Sequence, residues 1–187
     1  MVAIAEAVAS GVIPNSEISI VITNKKDAHG ISRASEMGLK VAVVERAGRS
    51  REDHDREIVS VLEEHNADLV CLAGYMRLLS PYFVSRFRNR IINIHPSLLP
   101  SFPGTDAVRQ AIEYGVKITG CTVHFVDEEL DHGPIISQSF LTVLDDDDEN
   151  SLSARLLEVE HQTYISALIK IASNSLEISG RSVKCCK

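Results

Sequence analysis

The chain has 187 residues, of which 44% are hydrophobic and 24% are charged, so it is long enough to form one ordinary globular domain with a sizeable core. Its net charge of -7 argues against a protein whose main partner is nucleic acid, because neutralising phosphates requires a surplus of lysine and arginine. No apolar run approaches the length needed to span a bilayer, and residues 1–11 lack the basic lead of a secretory signal.

Short apolar strands alternate with helices over the first half of the chain. We predict helices at residues 1–10, 29–37, 51–65 and 81–87, and strands at residues 17–23, 40–44, 68–73 and 90–94. Gly11 and Pro14 end the first helix, whereas Ser80 caps the fourth helix and Pro81 takes its first position. This alternation is typical of a parallel α/β sheet with helices on both faces.

The pattern changes after Gly115. Residues 119–126 and 134–144 both have the character of strands and are separated by a loop, which predicts a paired, antiparallel edge. A long helix follows at residues 150–172, and we interpret the acidic run 145–149 before it as a solvated loop at a helix N-terminus rather than a metal site. The predicted fold is therefore a single Rossmann-like α/β domain over residues 1–187, with a mostly parallel sheet, an antiparallel C-terminal strand pair and a long C-terminal helix.

Two polar residues, Asn93 and His95, lie at the end of a predicted strand and on the same face of it. The carboxyl ends of parallel strands line the crevice in which α/β proteins bind ligands, although such a pair is equally consistent with a simple cap of the next turn. Pro96 stops the strand, and three prolines with one glycine within residues 96–104 predict a rigid, irregular loop. A rigid loop directly after two polar side chains suits a preorganised site.

A carboxylate farther along the chain completes the candidate site. Asp131 lies in an acidic loop between the two predicted C-terminal strands, and we expect it to return to His95. A carboxylate paired with a histidine favours the protonated imidazolium, which suits a general acid. His124 on the preceding strand is interpreted as a satisfied core histidine at least as readily as a residue that lines the site.

These segments together resemble the phosphoribosylglycinamide formyltransferase family of purine biosynthesis, which is folate-dependent. The resemblance rests on residues 93–100, 102–104, 120–126 and 130–135 in this order, and it runs from the first helix to about residue 171. It implies transfer of a formyl group from 10-formyltetrahydrofolate, as co-substrate, to the amine of phosphoribosylglycinamide. Asn93 is then expected to bind the formyl oxygen, His95 to stabilise the tetrahedral oxyanion as a general acid, and Asp131 to hold His95 and relay a proton through water.

The resemblance also implies binding residues. It places the folate near Arg51, Met76, Arg77, Leu78 and Leu79, together with Asn93. Without the resemblance, Met76 and Leu79 are better interpreted as core residues and Arg51 as a surface charge. It assigns the ribonucleotide to Pro96 and Glu160, of which Glu160 otherwise belongs to a solvated helix face. No metal is implied, because no compact set of ligands has the usual spacing.

The resemblance further implies a cytoplasmic enzyme of small-molecule substrates, with neither nucleic acid nor a membrane as partner, and it leaves a homodimer open. The four cysteines fit reduced thiols in that compartment. The family normally has one more strand and a phosphate-binding turn before the first helix, so the chain is expected to be N-terminally truncated relative to it and to bind the ribonucleotide more weakly than a longer form. Residues 173–187 are expected to form a C-terminal tail with a short strand or hairpin.

Several alternatives within and beyond the enzyme class remain open. Formyltetrahydrofolate hydrolases usually have a second histidine where this chain has Pro96, and methionyl-tRNA formyltransferases carry an RNA-binding domain and a basic surface. Sugar-nucleotide formyltransferases fit the segment 102–104 less well. A non-catalytic folate-binding homologue is the alternative from a different class, and the retention of Asn93, His95 and Asp131 argues against it.

Overall fold

The computed structural model describes residues 1–186 and contains six helices and eight strands over that range. The helices are α1 (Val2–Ala9), α2 (His29–Glu36), α3 (Arg51–Glu64), α4 (Pro81–Arg86), α5 (Ala107–Tyr114) and α6 (Glu149–Ala172). The strands are β1 (Val21–Thr23), β2 (Val41–Val43), β3 (Val70–Cys71), β4 (Ile91–His95), β5 (Ile118–Phe125), β6 (Ile135–Thr142), β7 (Leu176–Ser179) and β8 (Ser182–Cys185). Every predicted element is confirmed, with bounds that differ by a few residues.

The strands pair in three sheets whose direction changes along the chain. Strands β1 and β2 are parallel and form one sheet, whereas the second sheet has the order β3-β4-β5-β6. Within the second sheet β3 and β4 are parallel, whereas β5 is antiparallel to both of its neighbours, β4 and β6. Strands β7 and β8 form a hairpin in the tail. The predicted α/β class, the antiparallel C-terminal pair and the long C-terminal helix are confirmed.

Strand β4 separates two hydrophobic cores, because successive side chains of a strand point to opposite faces. Ile91 packs with residues of α3 and α4, such as Ile58 and Phe83. Its neighbour Ile92 packs on the other face with residues of α1 and α6, such as Ile4 and Tyr164. Both residues are fully buried. The helices therefore cover both faces of the sheet, as the alternation predicted, and β4 lies between them.

Local capping explains where two of the helices begin. The Ser80 hydroxyl accepts a hydrogen bond from the Phe83 N–H at the start of α4, as predicted. At the start of α6, Asp148 and Ser151 exchange hydrogen bonds between side chain and backbone, which is a capping box. The backbone N–H of Ser151 is the main cause that lowers the pKa of the Asp148 carboxyl. The acidic run before α6 thus acts as a helix cap.

No helix among residues 1–186 is long and apolar enough to cross a membrane. The four cysteines are all free thiols, two of them exposed in the tail and two inside the fold. Burial raises the pKa of the Cys71 thiol to about 12, so this side chain is a neutral, packed thiol.

Candidate active site

Strands β4 and β5 present four polar side chains on one face of the sheet. Asn93 pairs in register with His124, and His95 pairs with Thr122. Asn93 and His95 share the face of Ile91, because they lie two and four residues after it on the same strand. His124 and Thr122 share this face because they pair directly with Asn93 and His95. Residues directly opposite one another in an antiparallel pair have neighbouring side chains. The register therefore gathers into one cluster side chains that are distant in sequence.

His95 is 4% exposed and meets hydrogen-bond acceptors on both sides of its ring. Its Nε2 lies 2.8 Å from the carbonyl oxygen of Phe102, and its Nδ1 lies 3.4 Å from Oδ2 of Asp131. The predicted return of Asp131 to His95 is confirmed. Because a carbonyl can only accept, Nε2 donates to Phe102, while Nδ1 faces the Asp131 carboxylate on the other side of the ring.

Asp131 is held in an unusual backbone conformation beside His95. Its φ is +50°, in the left-handed region that few residues other than glycine adopt. Its Oδ2 also accepts a hydrogen bond of 2.8 Å from the Gly104 N–H. Two residues later the chain passes so close to β5 that a Cβ on Gly133 would lie 1.9 Å from the Phe125 carbonyl oxygen. The turn that carries the carboxylate is thus fixed by the backbone on both sides.

His124 is a member of this cluster that the sequence did not assign. Its Nδ1 lies 2.8 Å from the Phe125 carbonyl oxygen, so this nitrogen holds the proton and Nε2 is left as an acceptor. Nε2 lies 3.5 Å from Nδ2 of Asn93 and 3.8 Å from Oδ1 of Asp131. Burial is the main cause that lowers the pKa of His124, which keeps the ring neutral. A neutral His124 orients the Asn93 amide by accepting one of its N–H groups.

The loop after His95 is tied to the sheet by two further residues that the sequence analysis missed. The Thr122 hydroxyl donates to the Ser97 carbonyl at 2.7 Å and accepts from the Leu99 N–H at 3.0 Å. The Gln138 side chain donates to the Leu99 carbonyl and to the Thr122 hydroxyl, each at 2.9 Å. The loop is therefore ordered as predicted, by strand side chains as well as by its prolines. A strand threonine gives no signal of this role in the sequence, because threonine is common in strands.

The segment proposed for the folate forms the loop between β3 and α4. Met76 is 78% exposed and Leu78 is half exposed, so neither is a core residue, whereas Leu79 packs against the core on the α3 and α4 side. Strands β3 and β4 are parallel, with Cys71 beside Ile92, so this loop leaves the sheet at the edge where Asn93 lies. The carboxyl ends of parallel strands form the usual ligand crevice.

Three arginines line a cavity of about 380 Å³ at this loop. Arg51 from the start of α3, Arg77 and Leu78 from the loop, and Arg46 line it together. Within the part of the chain that the structure describes, none of the three forms an ion pair with a carboxylate, although nearby Arg49 pairs with Glu57. Unpaired guanidinium groups around one cavity suit an anionic ligand. Arg46 was missed because an arginine in a loop has no distinguishing sequence signal.

The two residues proposed for the ribonucleotide lie apart from one another. Pro96 is half-buried and follows His95 directly. Glu160 on α6 is half-buried, and its charge acts on the Cys121 thiol of β5, on the opposite face of the sheet from His95. The structure does not bring Glu160 into contact with His95. Burial raises the pKa of the Glu160 carboxyl, so it is not the solvated residue that its place on a long helix suggests.

Comparison with known proteins identifies the family. A family model described as formyl transferase matches residues 2–168. The chain belongs to the formyl transferase family. This formyltransferase chain is 41% identical over 162 residues to the phosphoribosylglycinamide formyltransferase of Escherichia coli (strain K12), a match that covers 86% of the chain and 76% of the relative. Related trifunctional purine biosynthetic proteins are 42–44% identical, and the chain spans only 12–17% of their length.

Solved structures give the same result. The formyltransferase chain superposes with a TM-score of 0.97 and 43% identity on glycinamide ribonucleotide transformylase 1 from Symbiobacterium toebii, covering 100% of this chain and 88% of that one. It also superposes with a TM-score of 0.92 and 29% identity on a formyltetrahydrofolate deformylase from Pseudomonas syringae pv. tomato, covering 99% of this chain and 61% of that one. The resemblance stated from the sequence motifs is therefore confirmed at the level of the family.

Proposed function

We propose that the chain transfers a formyl group from 10-formyltetrahydrofolate to the amine of phosphoribosylglycinamide, a step of purine biosynthesis. The observation that carries the proposal is the arrangement of Asn93 and His95 on one strand face, with the Asp131 carboxylate 3.4 Å from His95 Nδ1. This arrangement lies within the segment that matches the formyl transferase family. The names of the E. coli and Symbiobacterium relatives support the choice of substrates.

Asn93 supplies the first hydrogen-bond donor for the formyl oxygen. Its amide nitrogen lies 3.5 Å from His124 Nε2, which accepts one of its two N–H groups. The second N–H is then free to point into the crevice at the end of β4. A donor that is already oriented stabilises the charge that develops on an oxygen without reorganising during the reaction.

His95 supplies a proton as a general acid. In the structure its Nε2 is engaged by the Phe102 carbonyl, so donation to a substrate requires that this hydrogen bond be exchanged. Phe102 has a φ of +50° in the loop that carries this carbonyl. Hydrogen bonds of catalytic groups are often rearranged when the substrate binds. The formyl oxygen would take the place of the Phe102 carbonyl as acceptor.

Asp131 orients His95. Its carboxylate lies 3.4 Å from Nδ1 and attracts the positive charge that the ring carries while it is the acid of the reaction. Asp131 also supplies an acceptor through which water can carry away the proton that the attacking amine loses. The ribonucleotide that carries this amine is assigned to Pro96 and Glu160.

The folate is assigned to the loop between β3 and α4. Arg51, Met76, Arg77, Leu78 and Leu79 are its proposed contacts, together with Asn93 at the formyl group. The cavity lined by Arg46, Arg51 and Arg77 supports this assignment, because the glutamate end of a folate carries carboxylates that guanidinium groups bind in a bidentate manner. The exposed apolar side chains of Met76 and Leu78 offer surface for the rings.

The proposal includes only small molecules as partners, with a homodimer left open, and it places the protein in the cytoplasm. The alternative that a specific observation favours is hydrolysis of 10-formyltetrahydrofolate, because a deformylase shares the fold at 29% identity. In that reaction water takes the place of the amine, and the same three residues would act on the formyl group.

The test is an assay with 10-formyltetrahydrofolate in the presence and absence of phosphoribosylglycinamide. We expect turnover that requires the amine, and a loss of about 10²–10³ in turnover for His95→Ala and for Asn93→Ala. His161→Ala is the matched control, because this histidine is exposed on α6, and we expect it to leave turnover unchanged. Formate release that does not depend on the amine would establish the hydrolase instead. Folate binding without either reaction would establish a binding protein.

A further inference from the structure

A buried polar cluster lies beneath the loop 74–79, and neither the catalytic residues nor the arginine cavity accounts for it. It consists of His54 and Asp55 from α3 and Ser80 at the start of α4, and the buried hydroxyl of Tyr75 in the loop is near enough for the charge of Asp55 to act on it. His54 is 0% exposed and Asp55 is 1% exposed, although both side chains can carry a charge. Burying such groups is costly unless hydrogen bonds compensate, so their hydrogen bonds are informative.

One oxygen of Asp55 holds the far end of the loop. Its Oδ2 accepts a hydrogen bond of 2.6 Å from the Ser80 N–H. Ser80 in turn caps α4 by accepting from the Phe83 N–H. A short hydrogen bond to a charged acceptor is stronger than one between neutral groups. Asp55 thus fixes the point where the loop enters α4.

The other oxygen of Asp55 faces the ring of His54. Oδ1 lies 3.8 Å from Nδ1 of His54. Nε2 of His54 lies 2.7 Å from the Val44 carbonyl, which can only accept, so Nε2 carries a hydrogen and donates to it. Nδ1 is buried and has no hydrogen-bond partner within residues 1–186. A hydroxyl placed beside Oδ1 could donate its one hydrogen to this carboxylate oxygen.

Tyr75 carries a hydroxyl that can donate a hydrogen bond to Asp55 Oδ1. Its hydroxyl is buried and has no hydrogen-bond partner among the described residues. Burial, and next the negative charge of Asp55, raise the pKa of Tyr75, so the carboxylate is within electrostatic range of this side chain. Tyr75 directly follows Gly74, whose φ of +67° marks the sharp turn where the loop leaves β3. The unpartnered donor is therefore at the beginning of the loop, and Ser80 is directly after its end.

We propose that Tyr75 is a positioning residue whose hydroxyl donates to Asp55 Oδ1 when folate binds, and so fixes loop 74–79 in its ligand-binding conformation. Together with the Ser80 N–H, this bond attaches both ends of the loop to α3. The inference rests on the proposed function, because folate is the ligand that the loop is proposed to bind. A phenylalanine at position 75 keeps the ring and its packing but removes the donor.

The first experiment compares the parent chain with Tyr75→Phe. Calorimetric titration with 5-formyltetrahydrofolate, a stable isomer of the proposed donor, gives the Kd, and thermal unfolding without ligand gives the Tm. We expect Kd to rise about tenfold, as for the loss of one hydrogen bond to a charged group. We expect Tm to stay equal or to rise, because the substitution removes a hydroxyl that is unpartnered in the free protein. Tyr82→Phe on α4 is the matched control and should change neither quantity.

A merely structural role gives the opposite pattern. In that case Tyr75→Phe would lower Tm and leave Kd unchanged, and an unchanged Kd overturns the inference whatever happens to Tm. If the parent chain itself does not bind 5-formyltetrahydrofolate, the proposed function fails and this inference fails with it. If the parent binds and Tyr75→Phe binds equally well, only the inference fails.

Variants of Asp55 identify the acceptor. Asp55→Asn keeps an oxygen that can accept, so we expect Kd within about threefold of the parent value. Asp55→Leu removes both attachments, and we expect a rise in Kd at least as large as that of Tyr75→Phe. Adding Tyr75→Phe to Asp55→Leu should cause no further loss, because the two residues act in one contact. Additive losses would show that Tyr75 acts elsewhere, and Tyr75→Phe alone decides the question if Asp55→Leu does not fold.

Discussion

The Asp131 carboxylate lies 3.4 Å from Nδ1 of His95, and it is held there by a backbone in the left-handed region. The same oxygen accepts a hydrogen bond from the Gly104 N–H. One side chain therefore joins the turn before β6, the rigid loop after β4 and the histidine ring. The negative charge of Asp131 contributes to catalysis, and its hydrogen bond to the Gly104 N–H contributes to the stability of the fold. Different substitutions can remove these two contributions one at a time.

Asp131→Asn should remove the charge and keep the geometry. Asparagine tolerates the left-handed region, and its amide oxygen can still accept from the Gly104 N–H. We expect turnover to fall by about 10²-fold or more, as for other loss of preorganised charge, while the free energy of unfolding changes by less than about 1 kcal/mol. Steady-state kinetics and urea denaturation measure the two effects.

Asp131→Ala should also destabilise the fold by about 1–3 kcal/mol, since the Gly104 N–H loses its partner. Asp145→Asn is the control, because its side chain is almost fully exposed. Equal turnover of Asp131→Asn and the parent would contradict the electrostatic role assigned to Asp131.

His124 should make the fold less stable in mild acid. Burial lowers the pKa of this histidine below its ordinary value of 6.5. As pH falls below 6.5, His124 becomes protonated in the unfolded chain but stays neutral in the folded protein. The free energy of unfolding therefore decreases, at most by about 1.4 kcal/mol per pH unit for one proton. This loss continues down to the lowered folded pKa. Urea denaturation of the parent and of His124→Gln, from about pH 8 to about pH 5, measures this contribution.

The glutamine variant should have a shallower acid slope than the parent, because its side chain does not titrate. His161→Gln is the control, since this histidine is exposed on α6 and should leave the slope unchanged. Identical slopes for His124→Gln and the parent would show that His124 titrates normally in the folded protein.

Gly120 should not tolerate a side chain. A Cβ at this position of β5 would lie 2.0 Å from the Ser139 carbonyl oxygen of the paired strand and 2.8 Å from Leu98. Because a backbone atom cannot move as a side chain can, we expect Gly120→Ala to destabilise the protein by about 3 kcal/mol or more. Urea denaturation measures the change in the free energy of unfolding.

Gly30→Ala is the opposite case and serves as the control. Gly30 lies in α2, and the nearest atom to a Cβ there would be Cε of Met1 at 3.9 Å, an ordinary contact. We expect this variant to gain up to about 1 kcal/mol from the helix propensity of alanine. A Gly120→Ala protein as stable as the parent would contradict the close pairing of β5 and β6.

The arginine cavity should govern the affinity for the formyl donor and not the chemical step. Arg51→Met and Arg77→Met each remove a charge from the cavity, and we expect KM for 10-formyltetrahydrofolate to rise about tenfold with kcat little changed. Arg46→Met should act in the same direction if the cavity binds an anion. Added salt should reduce the difference, because it screens exposed charges.

Arg109→Met is the control for the arginine series. This arginine is exposed on α5 and pairs with Asp106, away from the cavity. It should leave KM unchanged. A fall in kcat without a change in KM for the cavity variants would contradict binding of the donor at this position.

The fold could be predicted to a large extent because its elements carry local signals. The Ser80 cap with Pro81 marks the start of α4, and the alternation of Ile91 and Ile92 between two cores follows from the period of a strand. These are short-range properties of the chain, set by hydrogen bonding to neighbouring residues and by side-chain direction. The bounds of short strands such as β3 were less accurate, because pairing with another strand decides how far a strand extends.

The sequence by itself determined the family, the order of the elements, and the residues Asn93, His95 and Asp131 as one candidate site. Only the tertiary structure decided which other groups surround them, since contacts between distant residues depend on strand register and loop path. The pairing of β4 with β5 brings His124 to Asn93 and Thr122 to the loop after His95. In the same way, the packing of α3 beneath the loop 74–79 brings Asp55 to Ser80. Burial then sets the protonation of these groups, as it does for His124, and burial is a property of the whole fold.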